Sequence, residues 1–214
     1  MKTIKQYLVP VLVCFLPVIA GVCVYNELPD MMPTHFNAEG IADGYSSKAF
    51  AVFGIPLILC ALQVFALFMM NADPKKKNYP RQMVVMTVWI VPVISCLMNG
   101  LVILKSLGKD IHIEMAAPVL VGALLVVIGN YLPKVRQNYT MGIKLPWTLE
   151  SEENWRKTHR LGGFLFVIAG FWMLITPFLK VPWFIVLMPI FVSVIVPVIY
   201  SWSIYQKEKN HAED

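Results

Sequence analysis

The sequence predicts an all-α integral membrane protein with six transmembrane helices, both termini cytoplasmic, one long outer loop and one long inner loop. Three observations carry that expectation. Hydrophobic residues make up 57% of the 214 and charged ones 14%, against about 45–50% and about 25% in ordinary soluble domains. The apolar residues come in blocks rather than at a helical or strand period. The cations, finally, are divided very unevenly between the segments that separate those blocks.

Six blocks, at 4–25, 49–70, 83–104, 115–132, 161–179 and 183–205, approach the roughly 20 residues that cross about 30 Å of hydrocarbon. The first follows Lys2 and Lys5 and could pass for a secretory signal. It is longer than a signal core and contains Pro10 and Pro17, so a retained first helix is expected. With the N-terminus inside, 14 of the 18 lysines and arginines fall in cytoplasmic segments. Lys48, Lys105, Lys109 and Lys180 fall outside, the positive-inside arrangement. The basic charge therefore reads as topology and attraction to anionic lipid, with no nucleic-acid partner expected. The chain divides at 1–70 (two helices and the outer loop, 26–48), 71–132 (helices three and four) and 133–214. The last part holds the inner loop, 133–160, two helices and a basic tail. The stretch "NADPKKKNYPR" reads as a simple basic turn.

Within the blocks, Cys14, Cys23, Cys60 and Cys96 have no metal-ligand spacing and read as small apolar fillers. The prolines read as kinks rather than gating hinges. Asn99 and Asn130 read as interhelical hydrogen-bonding groups. No Asp, Glu, Arg or His lies near the middle of a block, which argues against an ion-coupled transporter. A small uncoupled transporter or exporter of a lipid or peptide remains the alternative.

The outer loop carries a formal charge of −3 from Glu27, Asp30, Glu39, Asp43 and Lys48. His35, Glu39 and Asp43 are spaced by four, which on a helix would offer a metal site. Asn37 and Gly40 instead mark a loop. The expectation is an ordered cap over the outer mouth with no metal, or an acidic surface for a cationic ligand. His35, Asn37, Gly40 and Asp43 are its candidate contact residues.

The inner loop has turn residues at Asn138, Gly142 and Pro146, followed by helix grammar. Ser151 is placed as an N-cap with Glu152 and Glu153 in the first turn. Glu152–Arg156 and Glu153–Lys157 are i,i+4 pairs. Trp155, His159 and Gly162 share one face, and Trp147 and Trp155 suit the headgroup layer. His159 has no nucleophile near it in sequence, and no phosphate-cradling loop, zinc-protease helix or serine elbow occurs. Neither catalytic residues nor a cofactor are expected, and the chain does not read as an enzyme.

The stretch "GNYLPKVRQNYTMGIKLPWTLESEENWRKTHRLGG" (Gly129–Gly163) resembles the SdpI family of bacterial membrane immunity proteins through "NY..GI..PWTL" and "W..THR.GG". Upstream, "MPTHFNAEGIADGYSSK" resembles the short domain of unknown function often found ahead of that region. Lys144 stands where arginine is about as common. The resemblance implies a multi-pass cell-membrane protein that protects its host against a secreted, membrane-active toxic peptide. It further implies a receptor role in which a cytoplasmic transcriptional repressor is held at the membrane. Asn138, Tyr139, Gly142, Pro146, Trp147, Thr148, Trp155, His159 and Arg160 form the candidate partner-binding or packing surface.

Overall fold

The computed structural model describes residues 5–37, 39–179 and 181–213. Lys2 and Lys180, used in the cation count, and the first residue of the first block lie outside them. Helices α1 (Lys5–Val13) and α2 (Leu16–Cys23) lead to strands β1 (Met31–Phe36) and β2 (Ala42–Ser47). There follow α3 (Ile55–Ala72, entered through a π-turn at Phe50–Gly54), α4 (Arg81–Ser106), α5 (Ile113–Tyr131), α6 (Pro146–Glu150), α7 (Glu152–Ile175) and α8 (Trp183–Glu213). Among the described residues, five helices are long and apolar enough to cross a membrane. Their most apolar stretches are only 17–33% buried, so most of that apolar surface faces outward, as a lipid solvent requires.

The first apolar block is not one helix. It breaks at Cys14–Phe15, and the reason is Pro17, which has no N–H to give the Val13 carbonyl. The Cys96 thiol meets that carbonyl at 3.4 Å, and the Ser95 hydroxyl donates to the Cys14 carbonyl at 3.2 Å. The freed acceptors are thus satisfied by side chains on α4, as proline-broken helices in lipid require. Asn99, in contrast to the interhelical role expected of it, bonds the Ser95 carbonyl of its own helix at 2.8 Å. The buried Gln63 does bond across helices, from Nε2 to the Val88 carbonyl at 2.9 Å. Cys14 and Cys60 are buried and Cys23 is exposed, all as free thiols.

The chain forms two compact units: Met1–Asn71 with Val84–Glu114, and Ala72–Met83 with Met115–Asp214. In the first, Leu28, Met32, Ala51, Val52 and Ile103 form a buried cluster beneath the hairpin. In the second, α5 and α7 meet at two reciprocal glycine pairs, Gly122 with Gly170 and Gly129 with Gly163. A Cβ on Gly129 would lie 2.7 Å from the Gly163 carbonyl oxygen, and one on Gly122 2.7 Å from that of Gly170. Side-chain-free contacts of this kind let helix backbones approach closely in lipid.

Candidate functional site

The outer segment, expected to be a loop, forms a two-stranded β-hairpin within an otherwise helical chain. Met31 pairs with Ser47, Met32 with Ser46 and Pro33 with Tyr45, and bulges then bring His35 opposite Gly44 and Phe36 opposite Ala42. Asn37 makes the turn: its Oδ1 accepts from the Glu39 and Ile41 N–H groups at 3.1 and 2.9 Å. Gly40 follows with φ +72°, a left-handed conformation that glycine adopts without strain. Gly44 is forced by space, since a Cβ there would lie 2.8 Å from that of His35. Met32 anchors the hairpin in the buried cluster, and Lys48 bridges to Asp30 at 3.0 Å. His35 and Asp43 pair on the surface at 2.5 Å, with their side chains 73% and 46% exposed. No group of three or more potential ligands gathers among the described residues. His35, Glu39 and Asp43 are thus not gathered as one group.

The inner loop spends its polar side chains on itself. Asn138 is fully buried; its Oδ1 accepts from the Thr140 and Met141 N–H groups at 2.9 and 2.6 Å, and its Nδ2 donates to the Arg136 carbonyl. Gly142 follows with φ +112°, and any Cβ there would run into His159 Nε2. That nitrogen accepts the Ile143 N–H at 3.0 Å while Nδ1 donates to the Trp155 carbonyl at 2.8 Å. One ring nitrogen accepts and the other donates, which defines a neutral imidazole. Buried with no ionised partner, it is a brace between loop and helix and lacks the access a general base needs.

Pro146 starts α6, whose N-terminal N–H (Leu145) is capped at 2.9 Å by the hydroxyl of the fully buried Thr148. Ser151 caps α7 through the Asn154 N–H at 3.1 Å, and Glu153 pairs with Lys157 at 2.6 Å, both as the sequence suggests. Glu152 and Arg156 form no such pair. Trp155 departs from its expected headgroup position: it is 3% exposed, stacks on His159 at 3.9 Å between centroids and donates to the Val135 carbonyl. Trp147 sits partly buried against α8. Its Nε1 donates to Ser201 at 2.9 Å, and its ring meets Trp202 and Tyr205. Tyr139 and Arg160 remain exposed.

The stretch that reads as a plain basic turn holds this loop in place. Buried Asp73 accepts from the Tyr79 hydroxyl, the Thr140 hydroxyl and the N–H groups of Tyr139 and Lys75. Burial pushes its pKa upward, and these donors together outweigh that and hold it below the ordinary 3.8. Tyr79, half-buried and donating to that carboxylate, is raised. Lys75 Nζ reaches Gln137 Oε1 at 2.6 Å, and Gln137 in turn donates to the Thr148 and Leu149 carbonyls. Asp73, Lys75, Tyr79 and Gln137 were not singled out in the sequence. The one signal that could have found them is an aspartate closing an apolar block immediately before a basic turn.

Residues 134–201 match the model of the SdpI/YfhL protein family, and residues 12–60 match a domain of unknown function, DUF1648. The chain is 22% identical over 205 residues to the immunity protein SdpI of Bacillus subtilis strain 168, covering 95% of this chain and 97% of that protein. No solved structure matches.

Proposed function

We propose, for a chain whose residues 134–201 match the SdpI/YfhL protein family, that it is a multi-pass membrane immunity protein acting against a secreted, membrane-active toxic peptide. The observation that carries this reading is its end-to-end similarity to an immunity protein, in a chain whose five long helices are apolar on their outer faces. Both termini lie in the cytoplasm, with α1 and α2 together forming the first of six crossings. The toxin is captured or excluded at the outer hairpin, where the exposed His35–Asp43 pair supplies the polar contact. The protein acts by binding, without chemistry. Recruitment of a cytoplasmic repressor falls to the exposed inner-loop side chain of Tyr139, because Asn138, Thr148, Trp155 and His159 are occupied in holding the loop.

A toxin-sensitive strain expressing this protein, challenged with the purified peptide toxin of an SdpI-bearing operon, tests the reading. Survival above that of an empty-vector strain is expected. Equal killing at confirmed membrane expression would leave uncoupled transport as the reading to pursue, by substrate flux in proteoliposomes.

A further inference from the structure

Close contact between Gly129 and Gly163 leaves a groove of about 600 Å³ beside the α5–α7 crossing. Its upper wall is basic, from Arg156, Lys157 and Arg160, and its lower wall is apolar, from Phe164 and Val167. On α7 the residues 156, 160, 164 and 167 follow one another at helical spacing along a single stripe. Two guanidinium groups therefore stand directly above an aromatic and an aliphatic side chain. Lys157 is paired with Glu153, whereas Arg156 and Arg160 have neither hydrogen-bond nor ion-pair partner among the described residues. Asn130, exposed at the rim, is likewise unbonded, in contrast to the interhelical role expected of it.

We propose that this groove is a binding site for one anionic phospholipid. Charge complementarity and the order of the two walls select the occupant. A phosphodiester fits two unpaired guanidiniums that can each donate twice. The attached acyl chain then continues down the helix over Phe164 and Val167, where a soluble phosphate would leave apolar surface uncovered. Basic pockets between transmembrane helices at the cytoplasmic surface are suited to such headgroups. Asn130 adds a neutral donor for the phosphate or the glycerol. The site depends on α7 crossing the membrane and not on the immunity reading, so its test needs no toxin.

Native mass spectrometry of the purified full chain in a neutral detergent, with added palmitoyl-oleoyl phosphatidylglycerol or phosphatidylcholine, reads the site directly. A single phosphatidylglycerol adduct is expected to persist where phosphatidylcholine adducts are stripped. Arg156→Gln/Arg160→Gln, at two exposed positions, is expected to weaken that adduct at least about tenfold, the scale of one lost charge-assisted hydrogen bond. Phe164→Ala should weaken it by a smaller factor while leaving the headgroup preference intact. Glycerophosphoglycerol and inorganic phosphate, offered alone, should compete poorly. Equal retention of the two lipids, or an unchanged adduct in the double arginine variant, would overturn the proposal. So would competition by inorganic phosphate as effective as the lipid itself. Capture of a soluble acidic peptide in preference to the lipid would reassign the arginines to a protein partner.

Discussion

The outer hairpin and the inner loop are both long, polar and rich in turn residues, yet they use those residues in opposite ways. In the hairpin, strand pairing and the Asn37 turn hold the chain, and only Met32 and its neighbours reach the core. His35 and Asp43 are left facing water. In the inner loop the side chains do the holding: Asn138, Thr148, Asn154, Thr158 and His159 are all fully buried. The lesson is that a dense sequence motif need not be a binding surface. "NY..GI..PWTL" and "W..THR" are here mostly the interior of a brace, and it is the less conspicuous hairpin that carries a polar pair, His35–Asp43, on its surface.

That contrast orders the consequences of mutation. His159→Ala removes a buried ring and leaves the Ile143 N–H without an acceptor, so about 2–5 kcal/mol of stability should be lost. Thermal unfolding in detergent would show it, together with a fall in membrane level. Gly142→Ala places a side chain at φ +112° and against His159, at a cost of about 1–3 kcal/mol from the backbone alone. A wild-type melting temperature would show that the brace tolerates displacement.

Asp73→Asn tests the second anchor and has a pH signature. Because the folded carboxyl titrates below its ordinary value, its contribution is complete above that ordinary value and is lost as pH falls through the folded one. The wild type should therefore lose stability on acidification in that range, and Asp73→Asn should be less stable at neutral pH with a flatter acid limb. Melting curves between about pH 7 and pH 3 compare the two. Ser95→Ala, which uncaps the Cys14 carbonyl at the break between α1 and α2, should cost about 1 kcal/mol. His35→Ala should change stability least, within about 0.5 kcal/mol, since an exposed pair contributes little.

The parts legible in the sequence are those written locally. The later apolar blocks became helices, Ser151 became a cap and Glu153 met Lys157. What was missed depends on distant partners. The outer segment reads as loop because Asn37 and Gly40 are turn residues, whereas its strands exist through mutual pairing and the docking of Met32. Trp155 has the composition of an interfacial anchor, and only the fold brings Val135 and His159 to it. Asp73 bonds to a loop more than sixty positions away, and no local pattern announces that. Which of the candidate inner residues are buried braces and which are exposed could be read only from the geometry.

The central claim, that recognition lies on the hairpin and support lies in the inner loop, is tested most directly by toxin survival with His35→Ala/Asp43→Ala at matched membrane levels. The account predicts a protein that melts like the wild type and protects poorly. Full protection by that variant would contradict it and move recognition away from the hairpin.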